Sequence, residues 1–191
     1  KHFDNMLHVV TGDLFRELAK KNTDTSEKVA EVLKRGGLPF DDLATTLWMY
    51  RIAHNLKKEQ GLICDGFPRR VEEAENLDRF LEFLERKQNV YVLLIDISEK
   101  EAFDRLTKRR ICKKCGRLIP WVGEFKKLKV CDKCGGRLIR RYDDKPKAIK
   151  RRMEYFKKSV VPTIDYYKKQ KRLIKINGEQ SIENVFKDIL K

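Results

Sequence analysis

The sequence lacks any long apolar run. No apolar stretch approaches the roughly 20 residues that a helix needs to span a bilayer, so a transmembrane helix is not predicted. Residues 1–5 also lack the apolar segment of about 7–15 residues that marks a secretory signal. Internal repeats and low-complexity linkers are absent as well. We therefore expect a soluble, cytoplasmic protein.

Positive charge, by contrast, is plentiful. The 191 residues include 44 Lys and Arg against 29 Asp and Glu, which gives a net charge of +15. Such an excess favours anionic partners, namely nucleotides, nucleic acid or an acidic surface, although a lysine-rich solubilising surface is the alternative explanation. With 41% hydrophobic residues, the chain is able to form one good-sized domain, or one domain carrying an insertion.

Four of the five cysteines form two CxxC pairs. Cys112 pairs with Cys115 and Cys131 with Cys134, and fifteen residues separate the two pairs. In a cytosolic chain this spacing predicts a metal site, not a disulfide framework. Four thiolates suit tetrahedral Zn²⁺ and leave no open coordination position, so the metal is expected to be structural; iron is the second choice. Cys64 stands alone and is interpreted as a small core residue.

Short apolar runs alternate with helical patterns along the chain. The runs predict strands at 6–10, 62–64, 90–97 and 173–176. Because the run 90–97 does not alternate with polar residues, we expect its strand to be buried on both faces. The helical patterns leave a polar break at 22–26 and a kink at Pro162. Strands alternating with helices predict an α/β fold with a parallel sheet flanked by helices.

A short turn follows the predicted strand 62–64, with the sequence Asp65-Gly66-Phe67-Pro68-Arg69. Ligands of open α/β sheets bind beyond the carboxyl ends of the strands, which is where Arg69 is expected. A guanidinium there is suited to clamping a phosphate, because its donors match phosphate oxygens two at a time. An ordinary surface turn is the alternative interpretation.

Further arginines make a phosphate site more plausible than a lone turn would. Arg105 and Arg109 lie four residues apart and share a helix face, while Arg141 and Arg152 flank the acidic pair Asp143-Asp144. Phosphoryl transfer requires such a set, since guanidiniums together with Mg²⁺ stabilise the charge that develops on the migrating group. Solvated surface arginines, and a helix cap at the acidic pair, are the alternatives.

These motifs, in this order, resemble the adenylate kinase family over nearly the whole chain. The combination of TGDxxR with DGFPR is highly specific. The residues that carry the resemblance are Thr11-Gly12-Asp13-Leu14-Phe15-Arg16, Gly36-Gly37-Leu38 with Asp41-Asp42, Asp65-Gly66-Phe67-Pro68-Arg69, Asp104-Arg105-Leu106 with Arg109-Arg110, the four cysteines, Arg141 with Asp143-Asp144, Arg152, and Asn177-Gly178.

The resemblance implies a three-layer, P-loop kinase-like core with two smaller parts. The core would comprise residues 1–10, 61–110 and 142–191, the monophosphate-binding arm 11–60, and the small β-rich zinc lid 111–141. The implied reaction is reversible transfer of the γ-phosphoryl group of ATP to AMP, giving two ADP, with Mg²⁺. The family also implies a monomer that serves adenine nucleotide homeostasis.

The same resemblance assigns roles to individual residues. Arg105 would stack on the ATP base, the backbone around Gln180 would face its adenine, and Arg109 would bind its phosphates. Asp65 would lie near Mg²⁺, and Asp143 would order the closed lid. The group on the phosphates, taken as catalytic, is Arg69, Arg109, Arg141 and Arg152. The residues expected to bind AMP are Thr11, Arg16, Leu38, Gly66, Arg69, Glu73, Arg141 and Arg152.

Glu73 departs from the family pattern, which usually has Gln at this position. Gln both donates and accepts at the edge of adenine, whereas a carboxylate only accepts. Glu73 could still accept from the adenine amino group, but it would match the two adjacent donors of guanine better. The alternative is that Glu73 swings outward on an exposed helix.

The family's GxPGxGKGT loop is missing from these 191 residues. Loss of the loop would also remove its strand from the middle of the sheet and leave buried backbone groups unpaired, so we expect roughly 20 further residues before Lys1. If the loop is truly missing, the alternative is a catalytically impaired nucleotide-binding protein or a nucleic-acid-associated zinc protein. A kinase for another nucleoside monophosphate is the third possibility.

Overall fold

The computed structural model describes residues 4–35, 37–141 and 144–191. Gly36 of the Gly36-Gly37-Leu38 motif, and Asp143 with its expected role in lid closure, lie outside the described residues, as do residues 1–3. The chain divides into two compact units, Lys1–Gln88 and Asn89–Lys191. Each unit contains one pair of parallel strands together with helices, so the predicted α/β class with parallel strands is confirmed.

The first unit is built on two parallel strands, β1 (Met6–Val10) and β2 (Gly61–Asp65). Their register runs from Met6 opposite Gly61 to Val10 opposite Asp65, so both strands end at the same edge. The chain between and after them forms four helices, which are α1 (Thr11–Leu18), α2 (Asp24–Lys34), α3 (Asp41–Asn55) and α4 (Val71–Phe83).

The expected polar break at 22–26 is present between α1 and α2, but it ends earlier than expected, because helix α2 begins at Asp24. The reason is a capping box: the Thr23 hydroxyl accepts from the Ser26 backbone N–H, and the Ser26 hydroxyl accepts from that of Thr23. Polar residues therefore start this helix by satisfying its unpaired backbone donors.

The core of the first unit gathers the inward faces of α3 and α4 and one strand. Trp48 and Ile52 of α3 are almost completely buried, as are Ala74 of α4 and Val9 of β1. Trp48 and Ile52 lie four residues apart, so they share one face of α3. Buried apolar area of this kind supplies most of the stabilisation of such a unit.

The second unit pairs β3 (Val92–Asp96) with β7 (Leu173–Asn177) in parallel. A separate antiparallel sheet has the order β5-β4-β6 and consists of β4 (Arg110–Cys112), β5 (Leu118–Ile119) and β6 (Leu138–Ile139). The helices are α5 (Glu99–Lys108), α6 (Pro146–Tyr155), α7 (Val161–Lys169) and α8 (Ile182–Ile189).

Strand β3 does not have both faces buried in the part of the chain that is described, which corrects the sequence-based expectation. Leu93 and Ile95 are 42% and 50% exposed. Because side chains alternate across a strand, these two residues share one face. An apolar run alone does not show which of the two faces has a cover.

Helices α6 and α7 are joined by a π-helical turn at Phe156–Val160, just before Pro162. The predicted irregularity at Pro162 is therefore present as a π turn on the N-terminal side of the proline, where a missing N–H disturbs the helical ladder. Within the described residues, no helix combines the length and apolar character that crossing a membrane requires.

Candidate functional site

The turn after β2 is closed by its own arginine. Arg69 Nε donates to the Gly66 carbonyl oxygen at 2.6 Å. Gly66 has φ +81°, and a Cβ added there would lie 3.1 Å from an Arg69 guanidinium nitrogen. The positive φ therefore favours glycine at this position, and the arginine lies close to it. The turn holds the Arg69 side chain beside the carboxyl end of β2.

Thr11 lies next to this turn because β1 and β2 end together. It is the first residue of α1 and is buried, and its Oγ1 lies 3.9 Å from the Cβ position that Gly66 leaves empty. Within the described residues, this hydroxyl has no hydrogen-bond partner. A buried hydroxyl without a partner is unfavourable, so a ligand that bonds to it would remove the penalty.

Arg16 and Leu38, also expected at the acceptor nucleotide, are more open to solvent. Arg16 lies on α1 and pairs with Asp13 on the same helix, and its side chain is half exposed. Leu38 is exposed in the segment that leads into α3. Both residues are thus available to a ligand, but among the described residues no hydrogen bond ties either of them to the turn that holds Arg69.

Glu73 is buried rather than swung outward, so the exposed-helix alternative is wrong. It is 4% exposed. Its Oε1 accepts from Trp48 Nε1 at 3.1 Å, and its Oε2 accepts from the Arg69 backbone N–H at 2.6 Å. The first turn of α4 places this carboxylate toward the protein interior, near the positive end of the helix dipole.

Asp65 is the last residue of β2 and keeps an open carboxylate. Its side chain is 62% exposed, and Oδ2 lies 3.7 Å from Nε2 of His8 on β1. Exposed carboxylate oxygens at the carboxyl end of a strand are the type of ligand that Mg²⁺ uses when it binds together with nucleotide phosphates. Asp65 therefore offers one oxygen ligand of the kind that a divalent cation binds.

In the second unit, Arg105 links α5 to the loop after β7. Its Nε donates to Glu101 at 2.7 Å, and a terminal nitrogen donates to the Gly178 carbonyl oxygen at 2.9 Å. Glu179 accepts from the Ser98 backbone N–H at 2.7 Å, and the hydrogen bonds from Ser98 hold the pKa of this carboxyl below its ordinary value. The start of α5 and the loop before Gln180 are thereby fastened together.

Two of the predicted arginines meet around one buried carboxylate. Arg109, at the end of α5, contacts Asp144 through two nitrogens, one of which lies 2.6 Å from Oδ1. Arg152 of α6 lies 3.4 Å from the same oxygen. The Asp144 backbone N–H bonds to the Arg141 carbonyl oxygen at 3.3 Å. The structure thus brings the side chains of Arg109 and Arg152 together, and the contact shown between Arg141 and Asp144 is one between backbone atoms.

The role of Asp144 was missed in the sequence. The acidic pair suggested a helix cap, but α6 has Lys145 as its N-cap residue and no capping side chain. The side chain of Asp144 is 1% exposed and faces the arginines. An acidic pair between two arginines was a usable signal, although it did not indicate that the Asp144 carboxylate is buried.

The four cysteines Cys112, Cys115, Cys131 and Cys134 converge in the second unit. Their sulfur atoms all lie within 4.8 Å of one another, with Cys112 and Cys134 at 3.5 Å and Cys115 and Cys131 at 3.7 Å. Tetrahedral Zn²⁺ with bonds of about 2.3 Å would separate its ligands by about 3.8 Å. A cluster of four thiols with these spacings could hold a metal ion.

The ionisation of these thiols also favours a cation. The Cys115 backbone N–H lowers the pKa of Cys112 from 9.0 to about 6, against the opposing effect of burial. For Cys134 the Gly136 backbone N–H lowers the pKa, but the neighbouring thiols and burial outweigh it and raise the pKa to about 12. Without a cation the cluster resists holding several thiolates, because like charges this close repel.

Outside the cluster, burial raises the pKa of the Cys64 thiol to about 12. Cys64 lies within β2 and is half-buried. A thiol with so high a pKa remains protonated and unreactive at neutral pH.

The chain is similar to known proteins over almost its whole length. A family model described as adenylate kinase matches residues 1–172. An adenylate kinase of Thermosipho africanus is 36% identical over 97% of this chain and 86% of its own length. One from Thermotoga neapolitana is 38% identical over 96% and 84%, and one from Caldanaerobacter subterraneus is 37% identical over 100% and 86%.

Proposed function

This chain belongs to the adenylate kinase family and is an adenylate kinase-like phosphotransferase, and we propose which of its residues serve each nucleotide. Family membership makes it a nucleoside monophosphate kinase with ATP and AMP or ADP as substrates. The reaction that we assign is reversible transfer of the γ-phosphoryl group of ATP to AMP, in adenine nucleotide homeostasis. The family match does not favour an impaired or nucleic-acid-associated protein.

The acceptor nucleotide is assigned to the first unit on the strength of one observation, the partnerless buried hydroxyl of Thr11 beside Gly66. A phosphate oxygen is a suitable acceptor for that hydroxyl, and Arg69 supplies positive charge next to it. Helix α1 and the segment before α3 contribute further groups. The residues of this unit that we propose to contact AMP are Thr11, Arg16, Leu38, Gly66 and Arg69.

ATP is assigned to residues of the second unit. Arg105 is held by Glu101 and the Gly178 carbonyl, so the orientation of its guanidinium plane is fixed. We propose that the adenine ring of ATP stacks on this plane. A fixed guanidinium stacks on an aromatic base with little loss of side-chain freedom. The Gln180 backbone contributes the remaining contact with the base. Arg109 contributes the contact with the phosphates.

Catalysis then rests on positioning and charge. Phosphoryl transfer needs no covalent intermediate, and its transition state carries charge on the equatorial oxygens of the migrating group. Asp144 already holds Arg109 and Arg152 in place, so these guanidiniums need no reorganisation when that charge develops. The catalytic group that we propose is Arg69, Arg109, Arg141 and Arg152.

Two metal ions complete the proposal. The four cysteines would hold a structural Zn²⁺, because four thiolates leave no position open for a substrate. Mg²⁺ would accompany ATP near Asp65 and neutralise phosphate charge. We also propose that the enzyme is cytoplasmic, since four thiols in a metal cluster require a reducing compartment. We propose a monomer as well, because the family resemblance implies one.

The proposed domain organisation assigns closure to two parts of the chain. Residues 11–60 would form the arm over AMP and residues 111–141 the zinc lid over ATP, with 1–10, 61–110 and 142–191 as the core. Closure of such parts excludes water and protects the transferred group from hydrolysis.

The test is a coupled assay on the natural protein with ATP and AMP, GMP, CMP or UMP as acceptors. We expect ADP formation with AMP at a higher kcat/KM than with the other three. Preference for a different monophosphate would contradict the assignment of the base, and no turnover with any of the four would contradict the function.

A further inference from the structure

A buried carboxylate ties together three parts of the first unit behind the turn at Asp65–Arg69. Glu73 offers Oε1 to the indole N–H of Trp48 and Oε2 to the backbone N–H of Arg69, at 3.1 and 2.6 Å. Each oxygen therefore has its own donor. The carboxylate is only 4% exposed, so it has little surface left for a base to approach.

We call the Glu73 carboxylate and its two donors, the Trp48 indole N–H and the Arg69 backbone N–H, a clamp. Both donors are themselves fixed. Trp48 is completely buried in α3, and its ring stacks on that of Phe67 with centroids 5.1 Å apart and planes inclined by 13°. Arg69 is bound at both its backbone N–H and its Nε, the second through the Gly66 carbonyl oxygen. Helix α3, the first turn of α4 and the turn between them thus share one set of contacts.

We propose that Glu73 is a positioning residue for the acceptor nucleotide, which acts by holding Arg69 in place through a clamp shared with Trp48. The inference rests on the proposed function, in which Arg69 binds the phosphate of AMP. With its backbone and its Nε both occupied, Arg69 presents its terminal nitrogens from a fixed base. Preorganisation of this kind improves binding because less conformational freedom is lost when the ligand arrives.

The chemistry of the clamp requires a carboxylate. A carboxylate accepts at both oxygens, whereas the amide of Gln accepts at one end and donates at the other. In Glu73→Gln, the NH₂ group would face either the indole N–H or the Arg69 N–H, and the opposed donor would lose its partner. A buried donor without a partner is costly, so the turn is expected to shift.

Removal of the indole donor should allow the protein to tolerate the amide of Gln at position 73. In Trp48→Phe/Glu73→Gln, the amide oxygen can stay on the Arg69 N–H while the NH₂ points toward the place that the indole nitrogen has left. The two positions are therefore predicted to be coupled, and a double-mutant cycle measures that coupling directly.

The experiment compares the wild type, Glu73→Gln, Trp48→Phe and the double variant by calorimetric titration with AMP and, separately, with ATP. We expect Glu73→Gln to weaken AMP binding about tenfold and Trp48→Phe about threefold, with the double variant close to threefold rather than about 30-fold. ATP affinity should stay within about twofold throughout. Glu72→Gln is the matched control, because it makes the same charge change at an exposed position of the same helical turn and should leave AMP affinity unchanged.

Unfolding in urea provides a second cycle that needs no nucleotide. Non-additive unfolding free energies support the clamp even if AMP does not bind, an outcome that would refute the proposed function alone. Should Glu73→Gln fail to fold, a folded double variant that binds AMP within about threefold of the wild type still supports the clamp. Wild-type AMP affinity in Glu73→Gln, additive effects, or equal losses of AMP and ATP affinity would overturn the proposal.

Discussion

Asp144 accepts two hydrogen bonds from one edge of the Arg109 guanidinium, from Nε and a terminal nitrogen, in a nearly solvent-free pair. The two side chains are 1% and 14% exposed, and Arg152 approaches the same carboxylate at 3.4 Å. One negative charge thus faces two positive ones, and it fixes the position of each. Since Arg109 and Arg152 carry the proposed charge stabilisation, Asp144 is the residue on which their arrangement depends.

Replacement of Asp144 by Ala should reduce both stability and activity. Two partly buried guanidiniums would lose their common partner, and breaking a buried pair costs about 3–5 kcal/mol. We expect the free energy of unfolding in urea to fall by an amount of this order. Turnover should fall by about 100-fold, because the arginines would no longer be preorganised for the transition state.

The matched control for this change is Glu99→Gln. Glu99 forms an ion pair with Lys157 in which both side chains are more than half exposed. Surface pairs contribute about 0–1 kcal/mol, so unfolding should change very little. If Asp144→Ala is as mild as Glu99→Gln in both stability and turnover, Asp144 does not organise the arginines.

Thr11→Val should separate binding from stability. The Thr11 hydroxyl is buried without a partner in the described part of the chain, so a methyl group in its place should leave the protein as stable or up to about 1 kcal/mol more stable. AMP affinity should fall by about tenfold, because the hydrogen bond to the phosphate is lost. Urea unfolding and calorimetric titration measure the two effects.

Thr163→Val is the control with the opposite expectation. Thr163 is equally buried, but its hydroxyl donates to the Ser159 carbonyl oxygen at 3.1 Å. Its loss should reduce stability by about 0.5–1.5 kcal/mol and leave AMP affinity unchanged. A destabilised Thr11→Val with normal AMP binding would show that the Thr11 hydroxyl has a structural role instead.

Local patterns predicted the parts of this protein that depend on local physics. Spacing alone identified the four cysteines as a metal site, because two CxxC pairs place their thiols close enough together for one metal. The alternation of strands and helices likewise predicted the parallel pairs. The contact between Trp48 and Glu73, by contrast, joins two helices across 25 residues, and no periodic pattern in the sequence predicts it. Similarly, the adjacency of Asp143 and Asp144 did not indicate that Asp144 faces the arginines.

Cys131→Ser should abolish metal binding and loosen the segment 111–141. Three thiolates hold Zn²⁺ less tightly than four, and small metal-bound segments lose their folding energy with the metal. We expect one zinc per wild-type chain and much less than one in the variant, measured by elemental analysis after desalting. Faster proteolysis within 111–141 should accompany the loss.

Acid should release the same metal, since the ligands must be thiolates and protons compete with the cation for them. Release should therefore increase as the pH falls, when followed with a colorimetric chelator. Cys64→Ser is the control and should keep its full zinc content, because Cys64 lies in β2 outside the cluster. Equal zinc contents in Cys131→Ser and the wild type would rule out the four-cysteine site.

Arg105→Ala should affect ATP and spare AMP. Arg105 spans from Glu101 to the Gly178 carbonyl oxygen, so its guanidinium is already immobile before a base arrives. Stacking of such a group on an aromatic ring contributes about 1 kcal/mol, and the KM for ATP should therefore rise about fivefold while that for AMP stays within twofold.

Lys108→Ala, three residues along α5, removes an exposed cation that pairs with Asp104 and should change neither constant. Because both variants lose one positive charge from the same helix, a general electrostatic effect would raise the KM for ATP equally in the two. A specific stacking role predicts a rise in Arg105→Ala alone, and an equal rise in both variants would show that Arg105 acts through its charge and not by stacking.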